Sequence, residues 1–308
     1  MSPTTKAQWQ LHFCVLLWGF TAILGKLITM PALALVWWRM LIVALCLACV
    51  PRVWRELRRM PLKLLAIYVG IGALVSLHWL TFYGAIKLAN ASVAVTCLAL
   101  APAFLSLVEP WVAQRRFELR ELLLGLAVIP GVALVVGGVP AGMHAGVAVG
   151  CSSALLVSFF IALNKRYAGH SDSLVVTALE LGTGALLLPL LAPFFAGGLK
   201  GLLQPPQGMD AVWMLVLALG CTLLPFTLSL VALRQLSAFS AQLVVNLEPV
   251  YTIVLAALLL GEQRELGPAF YAGVAVVLSA VFLHPLLAKR AELIAPDALA
   301  ADAEKASP

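Results

Sequence analysis

Apolar runs of about 17–25 residues follow one another along the whole chain, separated by short polar or proline-marked turns. As a helix rising 1.5 Å per residue, a run of that length crosses the roughly 30 Å of hydrocarbon in a bilayer. The pattern predicts ten spans, at roughly 11–29, 32–50, 64–86, 91–113, 121–138, 145–163, 174–196, 212–233, 239–260 and 268–287. The runs are continuous and lack polar/apolar alternation, which disfavours a membrane β-barrel. The first follows only Lys6 and shows no small-residue cleavage site before the second, so it reads as a retained helix and not a signal peptide. The expected fold is an all-α polytopic membrane protein with ten transmembrane helices.

Composition agrees with that pattern. Of 308 residues 62% are hydrophobic and 11% charged, whereas soluble domains are nearer half and a quarter. The net charge of +6 would fit a nucleic-acid partner, but the distribution of the charges argues otherwise. With both termini cytoplasmic, fifteen of the twenty Lys and Arg residues fall on the inner side of the ten spans. That bias is the positive-inside rule: the basic excess orients the protein, and no nucleic acid is expected. An inner membrane of bacterial type is the expected location. Trp9, Trp37, Trp38, Trp111 and Trp213 fall at span ends, where indoles meet headgroups, while Trp18 and Trp79 sit at mid-membrane depth. The six cysteines all lie within spans without zinc-type spacing and read as small apolar packers, so neither metal nor cofactor is expected.

The chain also repeats itself. Set against residues 232–265, residues 85–118 match at a constant shift of 147: Ala85 with Ala232, Lys87 with Arg234, Ala91 with Ala238, Leu100 with Leu247, Pro102 with Pro249, Phe104 with Tyr251, and Glu118 with Glu265. The units run over residues 1–140 and 141–288, followed by a polar, disordered cytoplasmic tail at 289–308. Five spans is an odd number, so the second unit enters the bilayer inverted relative to the first. The loops agree: QRRFEL (114–119) after the fourth span is basic, and its mate GEQREL (261–266) leans acidic. Two inverted five-helix repeats are the architecture of many secondary transporters, with the substrate at the midplane between them.

Four stretches carry a family resemblance: LEPVYTIVLAALLLGE (247–262), its first-half counterpart LALAPAFLSLVEP (98–110), WGFTAILGK (18–26) and WWR (37–39). Over about residues 11–287 the chain resembles the EamA family of the drug/metabolite transporter superfamily. The resemblance implies a central cavity lined by spans one, three, four, six, eight and nine, with spans two and seven peripheral. It leaves the substrate open, because similar members export amino acids, purines, drugs and other metabolites. Gln114–Arg115 departs from the Gly-Glu that many members carry there.

Candidate chemistry follows from polar groups that hydrocarbon penalises. Pro102 and Pro249 each remove a helix hydrogen bond and free the carbonyls of Leu98 and Val245, for ligand contact or as simple packing kinks. Glu248, about ten residues into the ninth span, is able to bind a substrate amine, carry a proton or anchor freed backbone. Trp79 and Tyr83 share a face of the third span beside His78, and Gln242 and Asn246 stand one turn apart before Pro249. Trp18, Thr96 and Asn164 complete the expected cavity wall. Glu180, by the peripheral position of its span, is expected to tie helices together. Lys26 and Arg39 are expected to snorkel to the outer surface. There is no HExxH, GxSxG or P-loop signature, so no enzyme is expected. The partners expected are a small-molecule substrate and the lipid bilayer, with the oligomeric state left open and a monomer possible. The leading expectation is a permease exporting amino acids or related metabolites by alternating access. Export of lipophilic cationic drugs is the alternative within transport, and a membrane-embedded assembly factor the alternative outside it.

Overall fold

A computed structural model of the chain describes residues 3–114, 116–245 and 247–279. Regular structure among these residues is entirely helical, as a bilayer requires of a chain without a closed barrel: only a helix satisfies its own backbone N–H and C=O groups. In chain order the helices are α1 (Pro3–Leu27), α2 (Ala32–Ala48), α3 (Pro51–Arg59), α4 (Leu62–Leu88), α5 (Ala91–Leu98), α6 (Ala101–Ala113), α7 (Leu119–Leu126), α8 (Ile129–Gly138) and α9 (His144–Arg166). There follow α10 (Ser173–Leu191), α11 (Gly198–Leu203), α12 (Met209–Leu215), α13 (Leu224–Leu233), α14 (Ala238–Val245), α15 (Glu248–Leu260) and α16 (Pro268–Ser279).

Seven helical stretches are long and apolar enough to cross a bilayer, or eight if α2 and α3, bent by 88° at their junction, are taken together. The ninth and tenth expected spans are represented by the shorter apolar helices α15 and α16. The described helices therefore establish a multi-pass protein and stop short of a count of ten.

The repeat is visible in backbone detail. α5 and α6 map onto α14 and α15 at the same shift of 147, end residue for end residue. The bonds Leu100 N–H to Cys97 O and Ala103 N–H to Leu100 O recur as Leu247 N–H to Val244 O and Val250 N–H to Leu247 O. Both breaks are tight turns ahead of a proline that cannot donate, which is why the helix restarts there. The helices even end alike, at Gln114 with φ 54° and at Gly261 with φ 71°. Their starts are capped in parallel: Asn90 Oδ1 accepts from Val93 N–H at 2.9 Å, and Ser237 Oγ from Ser240 N–H at 3.0 Å.

Glycines set the close approaches between helices. A Cβ on Gly72 would lie 2.6 Å from the Glu180 carbonyl oxygen, so α4 and α10 pack backbone to backbone there, as small residues allow in membranes. Some expected surface contacts are instead internal. The Trp37 indole is buried and donates to Ala185 O at 2.9 Å, and Trp38 donates to Gln204 O at 3.0 Å, so neither needs a headgroup. Cys46 and Cys49 are exposed at the end of α2 and do not pack inside.

Candidate functional site

A cavity of about 110 Å³ lies inside the bundle. Its walls come from α1, α2, α4, α5, α9, α13, α14 and α15. It runs from Thr21, Arg39 and Phe82 toward Leu11, Leu233 and Ala241, which lie at the end of the bundle that holds the N-terminus. Both helix breaks open onto it, through Leu98 and Ala99 on one side and Val245, Glu248 and Pro249 on the other. Aromatic rings make much of the remaining surface: Trp79 meets Phe226 edge to face at 5.9 Å, and Phe226 meets Phe160 at 5.8 Å.

A guanidinium and a carboxyl group face this space. Arg39 is 2% exposed, so the snorkelling expected of it does not occur. It turns inward because three groups receive it. Its Nε donates to Thr222 Oγ1 at 2.5 Å, its Nη1 donates to the Tyr83 hydroxyl at 2.9 Å, and its guanidinium carbon lies 3.7 Å from the Trp79 ring centroid. Thr222 belongs to a π-helical turn, Val216–Leu223, that interrupts the span between α12 and α13; such turns re-aim side chains and gather at functional sites. Five guanidinium N–H groups cannot all be filled by two oxygens, so Arg39 retains donors for a ligand. Glu248 is 6% exposed, lines the same cavity and has no hydrogen bond or ion pair with any described residue. Arg39 and Glu248 are electrostatic neighbours that do not close to within 4 Å.

The remaining expected residues divide. Trp18, His78 and Trp79 line the cavity with Glu248 and Pro249. Ser153 Oγ spends its proton on His78 O at 2.9 Å, so His78 Nδ1, 2.8 Å from the same oxygen, is the donor of that pair and Nε2 is left as an acceptor. Tyr83 does not reach the cavity: it is fully buried behind Arg39 and donates to Thr21 O at 3.4 Å. Its ring lies against Gly25, where an added Cβ would come within 2.4 Å of Tyr83 Cε1. Gly25→Ala is therefore expected to push the ring off Arg39 and to cost about 1–3 kcal/mol, as overpacking does, read as a lowered thermal midpoint in detergent.

Thr96 is not a cavity residue either; its hydroxyl is returned to Ser92 O at 2.7 Å. Asn164 is buried at a separate small void beside Tyr68. Glu180 and Asn164 are electrostatic neighbours across α10 and α9, though neither the Asn164 Nδ2 nor the Glu180 oxygens close to hydrogen-bond distance, and the close approach at Gly72 joins α10 to α4. Asn246 and the side chain of Gln242 lie outside the described residues. Pro102 is buried at the first break without lining the cavity itself.

At the end of the bundle opposite the N-terminus, hydrogen bonds tie neighbouring segments together. Asp210 accepts from Thr29 N–H at 3.0 Å and from Thr29 Oγ1 at 2.6 Å, tying the segment after α1 to α12, and Lys87 Nζ donates to Ile28 O. Glu262, 1% exposed, accepts from Ala91 N–H at 3.1 Å, Ser92 N–H at 3.0 Å and Ser92 Oγ at 2.7 Å. A carboxylate there fills the orphan donors at the start of α5 and meets the positive end of its dipole. This contact was missed in the sequence, although one signal was present: Glu262 falls opposite Arg115 at the 147-residue shift, so the first repeat has no carboxylate to match it.

These features define a multi-pass helical membrane protein with an internal, largely apolar cavity that carries a few polar groups. The model of the EamA-like transporter family matches residues 8–137 and again 144–286. The chain belongs to that family, in two copies of its repeat, and the family's members are membrane transporters. One solved crystal structure superposes with a TM-score of 0.66 at 19% sequence identity, covering 94% of this chain and 99% of the other, which shows a shared fold. No curated protein matches the sequence.

Proposed function

We propose that this protein is a secondary permease of small zwitterionic metabolites, amino acids foremost, built from ten spans in two inverted repeats. Alternating access in a bacterial-type inner membrane, with both termini cytoplasmic, completes the reading. The observation that carries it is the pair formed by Arg39 and Glu248. Each is almost fully buried on one cavity, and neither neutralises the other within 4 Å. A buried guanidinium and a buried carboxyl group held apart in a medium of low polarity favour a ligand that bridges them. An α-amino acid does so: its carboxylate suits the planar fork of Arg39, its ammonium suits Glu248, and its side chain faces the aromatic wall.

The size of the cavity supports the same reading. About 110 Å³ is below the roughly 300–1,000 Å³ of drug-sized sites, and a lipophilic cation would be repelled by Arg39. A membrane-embedded assembly factor has no use for an internal cavity that holds Arg39 and Glu248. Because the cavity extends toward the N-terminal end and hydrogen bonds tie the bundle together at the other, this arrangement corresponds to a cytoplasm-facing state ready to load for export.

Purified protein in liposomes preloaded with labelled amino acids tests the proposal. Counterflow of at least one amino acid is expected, reduced by Trp79→Ala; no counterflow across the twenty would reject the substrate class. Glu248→Gln is expected to weaken amino-acid binding roughly 10- to 150-fold, the worth of about 1.5–3 kcal/mol for a hydrogen bond to a charged group. The same substitution should leave the affinity for the corresponding deaminated acid unchanged. Equal losses for both ligands, measured by calorimetry, would remove Glu248 from ammonium recognition.

A further inference from the structure

The structure assigns to the short helix α3 a binding site for the headgroup of an anionic phospholipid, separate from the central cavity. This site rests on the membrane-spanning fold alone and stands whether or not the substrate proposal does.

α3 turns 88° from α2 where that helix ends; with α2 crossing the bilayer, that turn lays α3 along the membrane surface. Its sequence PRVWRELRR holds four arginines and one carboxylate, the half-buried Glu56. Val53 is buried and Leu57 stands one turn on, whereas Arg52, Trp54, Arg55, Arg58 and Arg59 are exposed. Arg52 is engaged with Asp172 at 2.6 Å. Arg55, Arg58 and Arg59 have no hydrogen bond or ion pair with any described residue. They converge with Trp54, Ala48 and Cys49 on a concavity of about 490 Å³. Trp54 is held there by an indole N–H donated to Ala48 O at 2.7 Å, one of the carbonyls left unpaired at the end of α2.

The occupant follows from charge and position. Three unpaired guanidinium groups present forks that match phosphate oxygens two at a time. The positive-inside rule explains why basic residues lie on this side of the membrane; it does not require three of them to share one hollow with an indole. The hollow also adjoins apolar surface of the kind acyl chains cover: Trp54 is 49% exposed, Leu45 near the end of α2 58%, and Leu62 at the start of α4 81%. A soluble anion would use the arginines and leave that surface wet. A phospholipid uses both, as basic clusters beside spans do.

The test is native mass spectrometry of the full-length protein in detergent, titrated with phosphatidylglycerol, phosphatidylcholine of the same acyl chains, or glycerol 3-phosphate. Phosphatidylglycerol should be retained at least tenfold better than phosphatidylcholine, and glycerol 3-phosphate should not compete. Arg55→Gln/Arg58→Gln/Arg59→Gln is expected to lower that retention roughly 100-fold, from about fivefold per arginine, while Lys200→Gln on the other side leaves it unchanged. If the triple variant does not fold, Arg58→Gln alone should still give about a fivefold loss. Equal retention of the two lipids, full competition by glycerol 3-phosphate, or a folded variant that binds as wild type would each overturn the assignment.

Discussion

Arg39→Gln is expected to abolish amino-acid binding, with a larger loss than any other single change in the cavity. Removing one partner from a buried, hydrogen-bonded charge pair costs about 2–5 kcal/mol, or roughly 30- to 4,000-fold in affinity. Two further groups are stranded by the change, since Thr222 Oγ1 and the Tyr83 hydroxyl both take hydrogens from Arg39. Arg39→Lys is expected to recover little, because an ammonium cannot reproduce the fork or the flat stacking over Trp79. Ligand chemistry separates recognition from stability. Wild-type protein should prefer a free amino acid to its methyl ester, and the Arg39 variant should lose that preference while binding the ester as before. A variant that keeps the preference would show that Arg39 only braces Tyr83 and Thr222.

The second large effect is expected at the tied end. Glu262→Ala strips the acceptor from two backbone amides and one hydroxyl at the start of α5. An unsatisfied buried donor costs about 1–3 kcal/mol, so the tied end should open more often, by roughly two orders of magnitude. Hydrogen exchange reads this directly: the amides of Ala91 and Ser92 should exchange about 100-fold faster than in wild type, and those of α9 at an unchanged rate. Glu262→Gln, which keeps one acceptor oxygen, should fall between. Unchanged exchange at Ala91 and Ser92 in the alanine variant would deny Glu262 its role as a clasp.

The clasp also gives the repeat a direction. The two helix breaks agree bond for bond, yet the carboxylate that fastens α5 to the turn after α15 has an arginine as its counterpart in the other repeat. On the alternating-access proposal, the Glu262 contact would favour the state closed opposite the N-terminus. Removing the clasp should therefore raise flux of a substrate supplied from that side more than flux from the other.

Several features were determined by the sequence by itself. Membrane residence, the long apolar helices among the described residues, the repeat at 147 residues and the paired proline breaks are local or periodic properties, and continuous apolar runs have few other solutions in lipid. Glu248, Trp18, His78 and Trp79 were legible for a related reason: a polar or amphipathic group at mid-membrane depth demands an internal environment. The tertiary structure alone decided the rest. Arg39, near a span end, reads as reaching for the surface; only Thr222, 183 positions away on a π-helical turn, and Tyr83 make the interior the cheaper place. Thr96, Tyr83 and Asn164 share the depth and polarity of cavity residues, but the rotation of each helix against its neighbours turned them elsewhere. Glu262 looked like a loop charge until the fold brought the start of α5 to it across 170 residues. Hydropathy sets how deep a residue lies. Which neighbour it meets at that depth is set by helix packing, through contacts between residues far apart in the chain.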